Sequence, residues 1–306
     1  MKNAFEFKTL TEFTDYFKDE ETCVKHFVSV RFANGEYCPH CGHTEIYTFK
    51  NGKRYRCAKC KEDFTIKTGT VFGESKLPLM KWFMAIYLLV NTSKGISSVQ
   101  LAKHVGVTQK TGWFMDHRIR KAMQQNGGQL FGKVEADETF IGGLSKNMHK
   151  KKRLAAIKGT GGTGKSAVFG LKSRDGEVRA QVVKSVGSVD LHPAIKQHVA
   201  AGSVLYTDQW VAYRGLREYK RRMVNHGAKE YVCGDCHTNG IESFWALFKR
   251  GYHGIYHQMS KKHLQRYVNE FAFRMNRSQE SMQSKFSELV DRMSKGTSMS
   301  YQELIA

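Results

Sequence analysis

The chain has 306 residues, of which 41% are hydrophobic and three are proline, so it can bury a large core and form more than one folded unit. Lysine and arginine outnumber aspartate and glutamate 49 to 28, giving a formal charge of +21 and an isoelectric point near 9.7. Because the excess extends from Lys50 to Lys295, a disordered basic tail is excluded as its source, and a polyanionic partner is favoured. Charge alone does not distinguish nucleic acid from a ribosome or an anionic membrane surface.

Two further features bear on location. Residues 1–8 lack the apolar core of a signal peptide, and the longest apolar run, residues 82–90, is too short to span a bilayer. We therefore expect a cytoplasmic protein. In a reducing compartment, seven cysteines favour metal binding over disulfides.

Residues 1–34 are predicted to form an N-terminal helical segment. Apolar residues recur at roughly helical spacing between Thr11 and Phe27, which predicts one amphipathic helix. Cys23 lies inside this helix, and we expect it to be an ordinary buried thiol.

Residues 35–73 contain two cysteine pairs with the spacing of a zinc ribbon. Each CxxC pair can form a tight turn that presents two thiolates, and the fifteen residues between the pairs allow a hairpin to bring them to one tetrahedral ion. The alternative, two redox dithiols, lacks the strand and helix context of a thioredoxin-like motif. His40 and His43 are nearby but are not needed as ligands. The predicted Zn²⁺ ligands are Cys38, Cys41, Cys57 and Cys60.

Residues 74–128 show a helix-turn-helix pattern. A long apolar helix over residues 77–90 is followed by a short helix over 97–105, a turn containing Gly106, and a basic helix over 109–122. In such motifs the second helix can enter the major groove of DNA. The alternative is a helical packing unit with a solvated basic face. The candidate DNA-contacting residues of the second helix are Lys110, Arg118, Arg120 and Lys121.

An aspartate lies in the middle of the predicted strand over residues 133–143. Strand interiors are depleted in aspartate because its carboxylate must be hydrated or paired. Asp137 therefore indicates either an edge strand with solvated acids or a carboxylate that binds metal together with partners downstream.

A basic and glycine-rich segment follows that strand. Residues 159–166 match the P-loop expression, but a basic run precedes them and a strand follows, so the strand-loop-helix context that a nucleotide site needs is absent. We predict instead a basic hairpin loop that contacts the DNA backbone. Its candidate contacts are Lys150, Lys151, Lys152, Arg153 and Lys165.

The remaining pattern alternates between strands and helices. Strands are predicted over residues 167–171, 177–184 and 203–206, with a helix over 189–200 and another beginning over 209–217. Asp208 closes the last of these strands, and Glu242 begins a later helix on which Lys249 points the same way.

Two smaller patterns complete the chain. Residues 233–237 spell the haem-attachment motif, but covalent haem requires export, so a second small metal site or reduced thiols at Cys233 and Cys236 are the alternatives. Helices are predicted over residues 264–275 and 286–293, the second within a C-terminal helical tail over 279–306.

A strand with Asp, a three-strand meander, a helix, a strand ending in Asp and a helix bearing Glu follow the order of the ribonuclease H-like fold. At this point the chain resembles the DDE insertion-sequence transposases, specifically the ISXO-type group with an N-terminal zinc ribbon. The likeness covers nearly the whole chain. The segments that carry it are 134–143, 206–208, 237–245, 249–251 and 270–277.

The resemblance implies an α/β, ribonuclease H-like (retroviral-integrase-like) catalytic domain over residues 129–278. Asp137, Asp208 and Glu242 would hold two Mg²⁺ (or Mn²⁺) ions roughly 4 Å apart for cleavage and strand transfer of element ends. Lys249 and Arg250 would act at the same site or on its DNA. The expected partners are element ends and target double-stranded DNA, with a homo-oligomer forming on the DNA of a bacterial nucleoid and no membrane.

The third catalytic position has two candidates. Some members of the group use asparagine, and Asn239 precedes Glu242 by about one helical turn. We favour Glu242, since an anion neutralises divalent charge better, and Asn239 could instead cap the helix. A ribonuclease H-like nuclease and a non-catalytic DNA-binding regulator are the alternative functions.

Overall fold

The computed structural model describes residues 7–50, 52–125, 127–143, 149, 164–223 and 237–305. The chain divides into two compact units. Unit 1 comprises Met1–Met123 and Gln279–Ala306, and unit 2 comprises Gln124–Ser278. Across the described ranges, every helix is too short or too polar to cross a membrane.

Unit 1 begins with two helices where the sequence predicted one. Helix α1 spans Leu10–Tyr16 and helix α2 spans Glu20–Arg31. The chain breaks between them because the Asp19 carboxylate accepts a hydrogen bond from the Thr22 N–H at 2.8 Å and thereby starts a new helix. Cys23 is fully buried in α2, as predicted.

The zinc-ribbon segment is a three-stranded antiparallel sheet. Its strands are β1 (Ile46–Thr48), β2 (Tyr55–Cys57) and β3 (Asp63–Phe64), in that order across the sheet. The hairpin register pairs Ile46 with Cys57, so that the second cysteine pair follows directly on β2.

Three helices follow in unit 1: α3 (Leu79–Asn91), α4 (Ser98–Val105) and α5 (Gln109–Ala122). The turn between α4 and α5 is sharp because Gly106 adopts a left-handed conformation with φ of 69°. Thr108 then caps α5 by accepting a hydrogen bond from the Thr111 N–H at 3.2 Å.

Unit 2 is built on a five-stranded mixed sheet. Its strands are β4 (Lys133–Ile141), β5 (Ser166–Ser173), β6 (Val178–Val183), β7 (Val204–Thr207) and β8 (Lys220–Met223). Their order is β6-β5-β4-β7-β8, with antiparallel pairing from β6 to β4 and parallel pairing from β4 to β8. The central strand is therefore β4, which carries Asp137 between an antiparallel and a parallel neighbour.

The prediction of a helix beginning over residues 209–217 is wrong. The structure has only a short 3₁₀ turn, Val211–Tyr213, followed by the edge strand β8. The sequence of β8, Lys-Arg-Arg-Met, is charged and mostly exposed, as edge strands commonly are, so it gives no alternating apolar pattern.

Helices cover both faces of the sheet. They are α6 (Ser188–His198), α7 (Asn239–Gly251) and α8 (Leu264–Asn276), with a π-helical turn, Tyr252–Tyr256, directly after α7. Successive residues of β4 and β5 enter different cores: Ile141 and Val168 pack with α7 and α8, whereas Ala136 and Phe169 pack with α6. The sheet therefore separates an α7 face from an α6 face.

Two C-terminal helices belong to unit 1: α9 (Met282–Lys295) and α10 (Tyr301–Ile305). Phe286 of α9 lies within an aromatic cluster, and its ring centroid is 5.4 to 5.5 Å from those of four phenylalanines. These are Phe7, Phe13, Phe17 and Phe83.

Candidate active site

Asp137 lies on the α7 face of the central strand. Side chains alternate along β4, and Trp245 of α7 donates a hydrogen bond from its indole Nε1 to the Asp137 Oδ2 at 3.0 Å. Gly170 of β5 is the register partner of Asp137, and a Cβ atom there would lie 2.6 Å from the Trp245 ring. Glycine at this position thus lets Trp245 pack on the sheet beside the carboxylate.

Asp208 follows the strand that runs parallel to β4. The register pairs Glu135 with Tyr206, and its continuation brings Asp208 level with Asp137 at one end of the sheet. The Asp208 carboxylate accepts a hydrogen bond from the Trp210 backbone N–H at 2.9 Å. Arg221 of β8 fixes the same turn, because its guanidinium donates to the Asp208 carbonyl and to Thr207 Oγ1, both at 3.0 Å.

Glu242 lies in the first turn of α7 and is exposed. Its Oε1 accepts a hydrogen bond from the Thr238 hydroxyl at 2.8 Å. Trp245 is three residues further along the same helix, so the two side chains share one side of α7, the side that reaches Asp137.

The electrostatics of Asp137 link the three acids. Its pKa is raised from the ordinary 3.8 to about 6, first by burial and then by the negative charges of Asp208 and Glu242, which outweigh the hydrogen bonds that the carboxylate accepts. The structure therefore brings the three carboxylates into one electrostatic neighbourhood. It does not bring oxygen atoms of all three within 4.8 Å of one another. In the described part of the chain, only the sulfur atoms of the four cysteines form such a close group.

The other candidates on α7 are also exposed. Asn239 is the first residue of the helix, and the N-cap position belongs to Thr238, so the suggestion that Asn239 caps this helix is wrong. Lys249 and Arg250 lie in the last turn. Seven residues separate Glu242 from Lys249, which places Lys249 about 10 Å further along the helix axis.

Glu135 is a residue of the site that the sequence reasoning missed. It lies two residues before Asp137 on the same side of β4 and is 1% exposed. Its Oε2 accepts a hydrogen bond from the Ile241 backbone N–H at 2.9 Å, in the first turn of α7. Since the first amides of a helix lack partners within it, this buried carboxylate caps the helix that carries Glu242.

Two basic side chains contact Glu135, and we call the three residues, Glu135, Arg174 and His237, the helix anchor. Arg174 Nε lies 3.4 Å from Glu135 Oε1, and His237 Nδ1 lies 3.3 Å from the same atom. Arg174 also donates to the His237 carbonyl at 3.2 Å and lies over the Tyr206 ring at 4.1 Å. The sequence did contain one sign of this, because Glu135 lies two residues before Asp137 in a strand and so points to the same face of the sheet.

A second acid, Glu138, is half-buried on the opposite face of β4. Burial raises the pKa of Glu138 to about 8, and the charges of Asp137 and Asp208 act in the same direction. The Tyr213 hydroxyl donates a hydrogen bond to Glu138 Oε1 at 2.6 Å. Because Glu138 points towards the α6 face, it supports the strand from behind the candidate site.

The four predicted zinc ligands do come together. Cys38 Sγ and Cys60 Sγ are 3.7 Å apart, Cys41 Sγ and Cys57 Sγ are 3.5 Å apart, and all four sulfur atoms lie within 4.8 Å of one another. Zn–S bonds of about 2.3 Å in a tetrahedron require sulfur atoms about 3.8 Å apart. The cluster therefore fits one tetrahedral Zn²⁺ ion.

Two of the predicted DNA contacts are wrong. Arg118 and Arg120 are 2% and 1% exposed, and so neither side chain is available to DNA. The guanidinium of Arg118 instead donates to the carbonyls of Met299 at 3.0 Å and Gly73 at 2.9 Å within unit 1. Residues 115–120 of α5 are all buried, so this part of the helix is surrounded by the interior of the unit and both arginines lie within it.

The other predicted basic contacts have different outcomes. Lys110 is exposed, with its ammonium 4.4 Å from the Tyr301 ring centroid, and Lys121 and Lys165 are partly exposed. The remaining predictions fall outside the described residues. They concern Lys150, Lys151, Lys152, Arg153, Cys233 and Cys236.

Comparison with known families gives two matches. Residues 129–276 match the profile described as an ISXO2-like transposase domain, which corresponds to most of unit 2. Residues 18–63 match the profile described as a transposase zinc-ribbon domain, which includes α2 and the four cysteines.

Two relatives are similar over different lengths. A protein of Halobacterium salinarum, described as an uncharacterized protein in transposable element ISH50, is 30% identical over 271 residues, covering 84% of this chain and 91% of that protein. An uncharacterized transposase-like protein of Haemophilus influenzae is 32% identical over 108 residues, covering 34% of this chain and 84% of that protein.

Proposed function

The chain belongs to the ISXO2-like transposase family, with a transposase zinc ribbon near its N-terminus, and from this premise we propose that it cuts DNA at the ends of an insertion sequence and joins them to target DNA. The observation that carries this proposal is geometric: the β4–β7 register brings Asp208 level with Asp137 in the family-matched domain, and the helix that bears Glu242 contacts Asp137 through Trp245. Three acids on a strand, a strand end and a helix suit phosphoryl transfer.

We infer that unit 2 has the ribonuclease H-like fold. Support comes from its five-stranded order, in which three antiparallel strands are followed by two parallel ones. In this arrangement Asp137 lies on the central strand and Asp208 follows the adjacent parallel strand. This is the order implied by the resemblance of the sequence to DDE transposases.

The three carboxylates offer hard oxygen ligands of the kind that Mg²⁺ or Mn²⁺ prefers. The absence of a closed cluster of their oxygen atoms is compatible with this, since Mg²⁺ keeps several waters and binds through a few carboxylates plus substrate phosphate rather than a closed protein cage. A divalent cation would also stabilise the ionised form of Asp137, whose pKa is raised first by burial and further by the charges of Asp208 and Glu242. When bound, such ions activate the attacking hydroxyl group and neutralise charge on the leaving oxygen.

The surrounding residues hold the acids in place. The Trp245 indole fixes Asp137, the Thr238 hydroxyl orients Glu242, and Arg221 holds the turn of Asp208. We propose Glu242 as the third catalytic residue, because it lies one helical turn before Trp245 on the side of α7 that reaches Asp137, and its anionic carboxylate neutralises divalent charge better than an amide does. Asn239 remains the alternative at this position.

DNA binding is proposed for both units. In unit 1, the zinc ribbon and the α4–α5 helix pair would recognise element ends, with Lys110 and Lys121 among the phosphate contacts. In unit 2, Lys165, Lys249 and Arg250 would hold DNA at the carboxylates, and a homo-oligomer on DNA would pair the two ends of the element.

Substitution of the carboxylates tests the proposal. Asp137→Asn, Asp208→Asn and Glu242→Gln should each reduce cleavage of an element end and joining of a pre-cut end at least about a thousandfold, because groups that act as a unit fail together. DNA binding should stay near that of the wild type. Asn239→Ala is the matched control on the same helix and should be milder.

Two results would contradict the assignment. If Glu242→Gln retains activity while Asn239→Ala loses it, the third residue is Asn239. Full activity of Asp137→Asn or Asp208→Asn would overturn the proposed reaction itself.

A further inference from the structure

Trp210 is a large aromatic residue left exposed beside a candidate catalytic carboxylate. It lies two residues after Asp208, and 45% of its surface is accessible to solvent. Isolated exposed apolar residues are normal on proteins, so exposure by itself indicates nothing. What distinguishes Trp210 is the way in which it is held.

The polar edge of this indole is fixed by a hydrogen bond. Its Nε1 donates a hydrogen bond to the Val186 carbonyl at 2.8 Å, and its backbone N–H donates to Asp208 Oδ1 at 2.9 Å. The Arg221 guanidinium donates to the carbonyls of Asp208 and Trp210 at 3.0 and 3.4 Å. The ring and the carboxylate are thus parts of one fixed turn, and the ring keeps an apolar surface open to solvent.

From this arrangement we propose that Trp210 is a stacking platform for a nucleobase next to the phosphate processed at Asp208. The proposal rests on the proposed function, because it takes a DNA strand to pass the carboxylates. Any base has a π face that can stack on an aromatic ring, so such a contact holds the strand without reading its sequence. A rigidly held ring is suited to this task, since little side-chain entropy is lost when the base binds.

The occupant is a base rather than a protein side chain for reasons of position and charge. The backbone amide of Trp210 bonds directly to Asp208, so whatever covers the ring lies within the candidate site. The chain carries a formal charge of +21, which favours a polyanion as the bound molecule. A protein or peptide partner at this ring is the competing outcome in the experiment below.

Binding is tested on the full-length chain with a duplex that carries one pre-cut end of its element and three unpaired terminal nucleotides. Each unpaired position in turn is replaced by 2-aminopurine, whose fluorescence is quenched when it stacks on an aromatic ring. The wild type should quench one position, Trp210→Ala should not, and Trp210→Phe should retain most of the quenching. Val211→Ala, which alters an exposed apolar neighbour, should match the wild type.

The phenylalanine variant separates stacking from a structural role, because it keeps a ring but loses the hydrogen bond to Val186. If Trp210→Phe is as defective as Trp210→Ala, the indole acts through its hydrogen bond and the proposal is wrong. Equal quenching by the wild type and Trp210→Ala at every position would overturn it too, because no base would then depend on the ring at position 210.

A cleavage and joining assay supplies the second readout. Trp210→Ala should lower the rate between about fivefold and about 150-fold, the range that loss of one stacked base produces. An abasic nucleotide at the quenched position should slow the wild type equally and slow Trp210→Ala no further. If the wild type neither cuts nor joins, the proposed function fails, whereas the fluorescence experiment, which needs no catalysis, still decides whether Trp210 stacks on a base.

Discussion

The two metal sites inferred for this chain are built in opposite ways. The zinc site takes four thiolates from positions 38 to 60, and their sulfur atoms already lie within 4.8 Å of one another. The carboxylate site takes Asp137, Asp208 and Glu242 from a strand, a strand end and a helix, and their oxygen atoms do not form such a closed cluster.

This difference distinguishes a structural metal site from a catalytic one. A closed set of four protein ligands leaves no position for a substrate, so such a site contributes to folding. Carboxylates that are partly exposed leave room for water and phosphate, but burial and mutual repulsion both oppose their ionisation, as the raised pKa of Asp137 reflects. Metal should therefore hold the zinc ribbon together, whereas in unit 2 the fold must hold the acids together.

The largest expected effect is loss of the zinc site. Cys57→Ser should abolish the roughly one zinc ion per chain and unfold the ribbon, because structural zinc contributes about 10–16 kcal/mol to the folding of small zinc domains. Metal analysis and thermal unfolding measure both outcomes. Cys23→Ala, which removes a buried thiol outside the cluster, and Asp137→Asn should retain zinc. Zinc retained without Cys57 would contradict the closed site.

The same comparison explains what the sequence could predict. The zinc ligands follow from spacing alone, since the pairs are local and a hairpin joins them. Asp137, Asp208 and Glu242 required the order of a whole domain. Glu135 was missed because its role depends on the Ile241 amide, 106 residues away, which no local pattern indicates.

Burial within a helix was harder to predict. The basic residues of α5 were assigned to DNA, but helical spacing does not say which side packs, and Arg118 packs inside unit 1. Likewise, β8 is a charged edge strand whose pairing with β7 is set by the fold rather than by its own residues.

An intermediate effect is expected from the helix anchor, which tests whether the fold positions the acids. Glu135→Ala removes the acceptor of the Ile241 N–H and leaves the Arg174 charge without its carboxylate, so the free energy of unfolding should fall by about 3–5 kcal/mol. Cleavage should fall as well, because α7 carries Glu242. Urea unfolding and the cleavage assay measure these changes.

Glu135→Gln is the matched control for that experiment. It retains an oxygen acceptor for the helix amide and loses only the charge, so it should recover much of the stability and activity lost in Glu135→Ala. If Glu135→Ala keeps both stability and full activity, α7 is positioned by its apolar packing alone.

The smallest expected effect is the change in the free energy of unfolding when the charge of Asp137 is removed. It is measured without added divalent cations and with zinc retained. Asp137→Asn keeps an acceptor for the Trp245 indole and removes the charge. Because the folded pKa of about 6 lies above the ordinary 3.8, native Asp137 binds its proton more tightly than the unfolded chain does. The contribution of Asp137 to wild-type stability should therefore fall as the pH rises from about 4 to about 6 and stay at its minimum above that window, while the raised pKa of Glu138 adds a separate fall that extends to about pH 8.

Asparagine has no such titration, so at about pH 7 the variant should be more stable than the wild type by about 1–3 kcal/mol, and the gap should close near pH 4. Urea unfolding at both pH values measures it, and Asp175→Asn, at an exposed acid between β5 and β6, is the matched control that should show no gap. Mg²⁺ at about pH 7 should stabilise the wild type more than the variant, because it neutralises the charge that the variant lacks. A wild type that gains stability over this pH window would mean that the acids of unit 2 are already compensated by the protein, and the contrast with the zinc site would fail.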